Sequence, residues 1–265
     1  MIEFSEIEIS YYILPFVGLM VGVFGTVLGG GGGFLFLPIL TLLAGSPAQT
    51  AVITSLVATL PICIVGSLGH YHKGNIDFKT GLKFALAGII GAFAGAGITG
   101  MISADLLKIS FGIYSIVIAL SIVLTIRRKR RAKSKGTEWQ EITVFAKDTR
   151  STFFGFLAGT ITGTFGTSGT APVLAGLFSL RLPLNLVIGT SLMVVLSNTI
   201  FAIGAHFLVG KIDLTLVCFL TAGSVIGALI GPKLLSKMKS ENYEYKGRYL
   251  YAIVMVALGV LMIVG

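Results

Sequence analysis

The sequence predicts an all-α polytopic membrane protein made of two inverted-topology repeats, each a broken or re-entrant helical hairpin followed by three transmembrane helices. Three observations predict this fold class: the composition, a duplicated set of motifs and the distribution of Lys and Arg. Of the 265 residues, 54% are hydrophobic and only 12% are charged, whereas about 25% charged residues is usual in a soluble domain. The chain therefore has too little charge to cover a surface that faces water.

Hydropathy divides each half of the chain into five apolar segments. In the first half they are 11–28, 34–44, 50–69, 80–100 and 106–126, and in the second half they are 151–165, 171–180, 186–207, 214–231 and 249–264. The longest reach the roughly 20 residues that span a hydrocarbon layer. The second segment of each half has only about eleven residues, or roughly 16 Å of helix, which is about half a bilayer.

The two halves carry the same motifs at one constant offset. The register has no gap, since 183 − 47, 206 − 70 and 213 − 77 all equal 136. The matched residues are Pro47, Thr54, Ser55, Leu56, His70, Gly74, Ile76 and Asp77 in the first half and Pro183, Thr190, Ser191, Leu192, His206, Gly210, Ile212 and Asp213 in the second. Chance matches of Gly and Leu are common in such a composition. A Pro, a His and an Asp matched in one register indicate duplication.

The basic residues indicate how the two copies are inserted. Cytoplasmic loops of membrane proteins are enriched in Lys and Arg, so the basic stretch 127–150 is predicted to be a cytoplasmic linker between repeats 1–126 and 151–265. If each half begins with a hairpin, 18 of the 20 basic residues lie inside and only Lys108 and Lys211 lie outside. This arrangement inverts one repeat relative to the other within a single integral membrane domain. It also places both termini outside.

Each hairpin turns at a tip that contains glycine. The first tip, 29–33, is five glycines, and the second, 166–170, reads Gly-Thr-Ser-Gly-Thr. Because a half-bilayer helix follows each tip, both tips are expected at membrane depth, where non-helical backbone is tolerated only inside protein or beside a cavity. The helix N-terminus there presents free N–H groups and the positive dipole end, which suits an anion. The alternative is that the glycines only permit tight helix crossing.

Residues in and around the tips are the candidate substrate-binding residues. They are Gly30, Gly31, Gly32, Gly33, Phe34, Thr167, Ser168, Gly169 and Thr170 in the tips, and Thr54, Ser55, Thr190, Ser191 and Asn198 in the third segments. The hydroxyls of the third segments are expected to ligate a substrate or coupling ion, or else to bond back to their own helix. Asn198 is an amide inside an apolar helix, so it needs a partner, either the substrate or a neighbouring helix.

Two matched His–Asp pairs lie between the third and fourth segments. His70 and His206 end the third segments at opposite membrane faces. They are candidates for a gate or proton relay, or else are interfacial residues that end a helix. Asp77 and Asp213 are expected to cap the fourth segments, with a part in the same gate as the alternative.

Other chemistries find no support in the sequence. There is no Gly-Lys-Ser/Thr after either tip, no HExxH, no GxSxG and no pair of intramembrane carboxylates, so neither a phosphate loop nor an enzyme is predicted. Cys63 and Cys218 each lie in an apolar run and are interpreted as small core residues. No cofactor, metal or nucleic acid is expected.

These motifs resemble the sulfite exporter TauE/SafE family, also called the 4-toluene sulfonate uptake permease family. The resemblance lies in the Gly-rich tip followed by Pro at 29–38, the Pro-x6-Thr-Ser-Leu element and the His…Gly-Asn-Ile-Asp loop at 70–77, with their second-half echoes. It covers about residues 13–264 and implies transport of small sulfur-containing anions across the plasma membrane. Sulfite, thiosulfate, sulfoacetate and other organosulfonates are the implied substrates. The second tip departs from the glycine run, which favours an asymmetric site with hydroxyls on one side.

The leading functional hypothesis is a secondary carrier that holds a small oxyanion between the two tips and works by alternating access. Two alternatives stay open: an anion channel of the same architecture and a non-transporting membrane scaffold. Import and export, H⁺ and Na⁺ as the coupling ion, and monomer and homo-oligomer also stay open.

Overall fold

The computed structural model describes residues 2–27, 31–135, 144–207, 211–237 and 241–265. Within these ranges the chain forms ten α-helices and one pair of short strands. The helices are α1 Leu14–Val27, α2 Gly33–Leu42, α3 Ala48–Tyr71, α4 Phe78–Met101, α5 Ala104–Lys135, α6 Val144–Phe165, α7 Thr170–Ser179, α8 Leu184–Phe207, α9 Leu214–Lys237 and α10 Glu241–Val264. A short 3-10 helix, Ile9–Ile13, leads into α1.

Six helices in the described ranges are long and apolar enough to cross a membrane. They are Ile9–Val27, Ala48–Tyr71, Phe78–Met101, Ala104–Arg127, Leu184–Phe207 and Leu214–Gly231. Large apolar side chains point outward along them, for example Ile90, which is 66% exposed. Such a surface suits lipid rather than water. The prediction of an all-α multi-pass membrane protein is therefore confirmed, and each predicted segment coincides with one helix.

The two helices beside the predicted linker extend further than hydropathy indicates. Helix α5 continues to Lys135 and α6 begins at Val144, so helix occupies much of 127–150. Residues 136–143 lie outside the described ranges. Hydropathy detects only the apolar part of a helix, whereas Lys and Arg are themselves good helix formers.

Helices α4 and α6 cross at very close range through glycines on both sides. A Cβ atom on Gly91 would collide with the backbone oxygen of Phe156, and one on Gly159 would collide with the backbone oxygen of Gly88. In lipid, helices associate chiefly through van der Waals packing and hydrogen bonds, so small residues at the interface permit the contact.

Helices of the two halves pair reciprocally. Helix α1 packs on α9, just as α6 packs on α4, while α3 packs on α8 and α5 packs on α10. The α1–α9 crossing also uses glycines, since a Cβ atom on Gly22 would collide with the backbone oxygen of Ser224. Helices α3 and α8 are the most buried of the six long helices. They form the centre against which α2 and α7 pack.

The first residues of the chain pair with the loop that precedes α9. Strand β1, Ile2–Glu3, runs parallel to strand β2, Ile212–Asp213. Lys211 forms an ion pair with Glu3, and Thr215 Oγ1 donates a hydrogen bond to the backbone oxygen of Ser5 over 3.1 Å. Two-residue strands are too short to give a hydropathy pattern, so the sequence does not predict them.

Candidate functional site

The first tip reverses the chain between α1 and α2 through two glycines in the left-handed region. Gly31 has a φ of 63° and Gly32 a φ of 74°, which glycine adopts without steric cost. Gly32 is the N-cap of α2, and it supplies no side-chain hydrogen bond. The buried residues Gly33 and Phe34 therefore begin a helix whose N-terminus has no side-chain cap. Gly30 lies outside the described residues.

The second tip joins α6 to α7 with the same backbone geometry but with side-chain hydroxyls. Gly166 has a φ of 63° and Gly169 a φ of 52°, and Gly169 is an N-cap without a side-chain hydrogen bond. Thr167, Ser168 and Thr170 are all buried. The Ser168 and Thr170 hydroxyls lie 2.8 Å apart. The Thr167 hydroxyl has no hydrogen-bond partner among the described residues.

The two tips lie against each other. A Cβ atom on Gly33 would be 3.0 Å from the backbone nitrogen of Ser168 and 3.4 Å from the backbone oxygen of Gly166. It would also be 2.8 Å from Thr59 Oγ1 on α3. Ser55 Oγ, also on α3, donates a hydrogen bond to the backbone oxygen of Gly166 over 2.8 Å. A helix of the first half thus holds the tip of the second half, and the structure brings the two predicted tips together.

This contact places two positive helix ends in one buried region. Each helix N-terminus carries the equivalent of about half a positive charge, and the described tip residues bear no ionisable side chain. Two like partial charges repel each other, and burial reduces the screening by water. An anion between the tips compensates both, with a dipole contribution of up to about 2 kcal/mol for each partly buried helix end.

The hydroxyls of Thr54 and Thr190 bind the backbone of the opposite half. Thr190 Oγ1 accepts a hydrogen bond from the backbone nitrogen of Asp77 over 2.9 Å, and Thr54 Oγ1 accepts one from the backbone nitrogen of Asp213 over 3.2 Å. Both residues of each bond are matched by the 136-residue offset, since 190 − 54 equals 213 − 77. The sequence-based expectation named a ligand or the residue's own helix as the partner. The structure gives a third kind of partner, the other repeat.

We expect Thr54→Val to destabilise the protein by about 1–3 kcal/mol, because it leaves the buried N–H of Asp213 without an acceptor. Thr190→Val should cost less, since the N–H of Asp77 is only partly buried. The matched control is Thr125→Val, at an exposed residue of α5 whose hydroxyl bonds only to its own helix at Ser121. Thermal unfolding in detergent measures all three variants. A Thr54→Val midpoint equal to that of the control would contradict the prediction.

The carboxylates of Asp77 and Asp213 cap the helices that follow them, as predicted. Asp77 Oδ1 accepts a hydrogen bond from the backbone nitrogen of Thr80 over 3.1 Å. Asp213 Oδ1 accepts one from the backbone nitrogen of Leu216 over 3.2 Å. Their caps fix the starts of α4 and α9, next to the bonds made by Thr190 and Thr54.

The two histidines end α3 and α8 in buried positions with different partners. His206 Nε2 donates to the backbone oxygen of Gly163 on α6 over 2.5 Å. His70 Nδ1 lies 3.5 Å from the Asn75 amide nitrogen, and its Nε2 has no hydrogen-bond partner among the described residues. Neither ring contacts a tip residue through a described hydrogen bond. The structure therefore places the histidines at the ends of the central helices, apart from the tip contact.

Asn198 and Ser191 are fully buried on α8. The Asn198 side chain packs against Gly88 of α4, where a Cβ atom would lie 2.8 Å from its Nδ2. Its amide oxygen and nitrogen have no hydrogen-bond partner in the described part of the chain. The structure thus gives Asn198 a helix–helix contact while leaving its polar atoms free.

Comparison with known proteins identifies the family. Residues 14–262 match the family model described as Sulfite exporter TauE/SafE. The chain belongs to this family. The resemblance inferred from the duplicated motifs is therefore confirmed, and the protein is a membrane transporter of the TauE/SafE family.

The curated relatives cover nearly the whole chain. The "Probable membrane transporter protein YdhB" of Bacillus subtilis is 30% identical over 85% of this chain and 89% of its own length. "Probable membrane transporter protein YunE" of the same organism is 24% identical over 97% and 96%. "Probable membrane transporter protein MJ0441" of Methanocaldococcus jannaschii is 23% identical over 87% and 88%. No solved structure matches the chain.

In this TauE/SafE family member the tip region includes residues that the sequence-based list omits. Thr59 Oγ1 donates to the backbone oxygen of Ser55 over 2.7 Å and faces Gly33. A Cβ atom on Gly31 would lie 2.6 Å from Cys63 Sγ and 3.5 Å from Val195 Cγ1. The usable signal is helical spacing, because Thr59 and Cys63 follow Ser55 by four and eight residues and so share its face of α3.

Proposed function

We propose that the protein is a secondary transporter that moves a small sulfur-containing oxyanion, such as sulfite, thiosulfate or an organosulfonate, across the plasma membrane. The observation that carries the proposal is the contact between the two uncapped helix N-termini at Gly33 and Ser168. Their N–H groups and dipole ends favour negative charge. The buried hydroxyls beside them donate hydrogen bonds to oxygen. Such a site suits a compact oxyanion.

The reciprocal contacts between the halves support an inverted-repeat arrangement. Helix α1 pairs with α9 as α6 pairs with α4, and the Thr54–Asp213 bond repeats as the Thr190–Asp77 bond. Exchange of this kind is expected when two copies are related by a two-fold axis. If the axis lies in the membrane plane, the tips lie near the bilayer midplane, where many secondary transporters bind their substrates.

The same symmetry supports alternating access around a fixed site. On this proposal the Thr54–Asp213 and Thr190–Asp77 bonds lie on opposite membrane faces. Rocking of one repeat against the other opens one face at a time, and the bond on the open face breaks while its counterpart holds. His70 and His206 lie at the helix ends beside these two contacts, so we assign them to the gates.

The charge distribution supports one orientation. The loop with Lys73, Lys79 and Lys83 and the basic region 127–150 are assigned to the cytoplasm, because Lys and Arg are enriched on that side. Lys108 and Lys211 then face outside, together with both termini. Accessibility of single cysteines introduced at Lys79 and Lys108 to a membrane-impermeant thiol reagent on intact cells tests this orientation.

Uptake into proteoliposomes tests the proposed function. ³⁵S-labelled sulfite and methanesulfonate are presented outside, with unlabelled anion inside or absent. A carrier gives saturable uptake that trans-side anion stimulates by counterflow. Large unitary currents in planar bilayers would instead indicate a channel, and no flux of any tested anion would contradict the proposal.

Ser168→Val should lower the rate of anion transport by about tenfold or more, because a hydrogen bond to a charged group is worth roughly 1.5–3 kcal/mol. The matched control is Ser121→Val, an exposed residue of α5 whose hydroxyl donates only to Ile118 of its own helix. Both variants are measured in the same proteoliposome assay at equal folded protein. Equal rates for the Ser168→Val variant and the wild type would remove the second tip from the site.

A further inference from the structure

Two buried hydroxyls of the second half have no hydrogen-bond partner among the described residues, those of Thr167 and Thr199. Thr167 is 2% exposed and Thr199 is 0% exposed. A threonine inside a helix usually donates to a carbonyl of the preceding turn, as Thr59 does here to Ser55. Thr199 lies within α8 and makes no such bond. Its hydroxyl is therefore buried at a cost and free to bind something else.

The repeat places these two hydroxyls side by side. Their first-half counterparts are Gly31 and Cys63, since 167 − 31 and 199 − 63 both equal 136. A Cβ atom on Gly31 would lie only 2.6 Å from Cys63 Sγ, so the two positions adjoin in the first half. Helix α8 packs on α6 and α7 as α3 packs on α1 and α2. The equivalent positions in the second half are therefore adjacent at its tip.

The two versions of this position differ sharply in chemistry. The first half offers a glycine without a side chain and a thiol, which is a weak hydrogen-bond donor. It is completed by an apolar methyl group of Val195, 3.5 Å from the Cβ position of Gly31. The second half offers two hydroxyls. The site between the tips is thus polar on one wall and weakly polar on the other.

We propose that Thr167 and Thr199 form a hydrogen-bond donor pair that determines anion specificity and orientation. The pair binds the oxygens of the anion on the second-tip side and directs its non-oxygen group toward Gly31 and Cys63. For sulfite that group is the sulfur lone pair, and for a sulfonate it is the carbon substituent. This inference rests on the proposed transport function and adds Thr199 to the site.

Thr167→Val and Thr199→Val test the pair, because valine keeps the shape and removes only the hydroxyl. Each should raise the KM for ³⁵S-labelled sulfite in proteoliposomes by about tenfold to a hundredfold. The ligand-free melting temperature should stay equal or rise, since a buried unpaired hydroxyl is lost. Thr→Ser at either position should restore transport. Ser115→Ala is the matched control, as its buried hydroxyl is also without a partner among the described residues but lies on α5 against Gly259 of α10.

The outcomes separate the inference from the proposed function. A raised KM with an undiminished melting temperature supports the donor pair, because a purely structural residue would lower both stability and the amount of active protein. Wild-type KM in both valine variants, or a loss of transport that follows a lowered melting temperature, overturns the pair and leaves the proposed function intact. A wild-type protein that transports neither sulfite nor methanesulfonate overturns both.

Discussion

Gly33→Val is expected to abolish anion transport while the protein stays folded. The Cβ position of Gly33 lies 3.0 Å from the backbone nitrogen of Ser168 and 2.8 Å from Thr59 Oγ1, so a branched side chain fills the space between the tips. It also shields the N–H groups that would bind the anion. Gly33 is not among the glycines with positive φ, so valine adds no left-handed strain at this position. We expect transport to fall by more than about a hundredfold, since a bound oxyanion would lose several charge-assisted hydrogen bonds.

The matched control for Gly33→Val is Gly69→Val on α3. A Cβ atom at Gly69 would meet nothing within 4 Å, so the same change there tests only the presence of valine in a helix. Gly33→Ala gives an intermediate step, because one methyl requires its neighbours to move by a few tenths of an ångström. Proteoliposome uptake at equal folded protein, judged by size-exclusion chromatography, measures the series. Wild-type uptake by the Gly33→Val variant would show that the anion does not pass between the tips.

Much of the fold was predictable because hydropathy and helix-ending residues act locally. The half-length helices α2 and α7 follow from short apolar segments. The caps at Asp77 and Asp213 follow from a carboxylate just before an apolar helix, which needs acceptors for its first N–H groups. The glycines at the tips were open to two readings. The structure shows left-handed backbone at Gly31 and Gly32, which a turn requires and a helix crossing does not.

The parts that could not be predicted depend on contacts between the halves. The hydroxyl of Thr54 reaches the backbone of Asp213, and nothing near Thr54 in the sequence indicates a partner so far along the chain. The face that a helix turns toward a tip is also set by packing, which is why Thr59 and Thr199 were missed. A single hydroxyl in an apolar helix has many local partners available. Only the three-dimensional arrangement shows which hydroxyl is left without one.

Gly91→Leu is expected to prevent accumulation of folded protein. A Cβ atom on Gly91 would collide with the backbone oxygen of Phe156 on α6, and backbone cannot move aside as a flexible side chain does. Overpacking a core by even a few atoms typically costs about 1–3 kcal/mol, and a leucine at a backbone contact must separate the two helices. Since native stability is only about 5–15 kcal/mol, loss of the α4–α6 contact removes a large part of it. Gly91→Ala should lower the melting temperature without abolishing folding.

Gly97 provides the control on the same helix. It lies six residues from Gly91, about 240° around the helix, and a Cβ atom there would meet nothing within 4 Å. Gly97→Leu should therefore fold like the wild type or better, because leucine has a higher helix propensity than glycine by roughly 0.5–1 kcal/mol. Fluorescence-detected size-exclusion chromatography of both variants distinguishes the effects. If both fold equally well, α4 and α6 do not cross through Gly91. If only Gly91→Leu fails, the glycines of the helix crossings have a packing role separate from the turns at the tips.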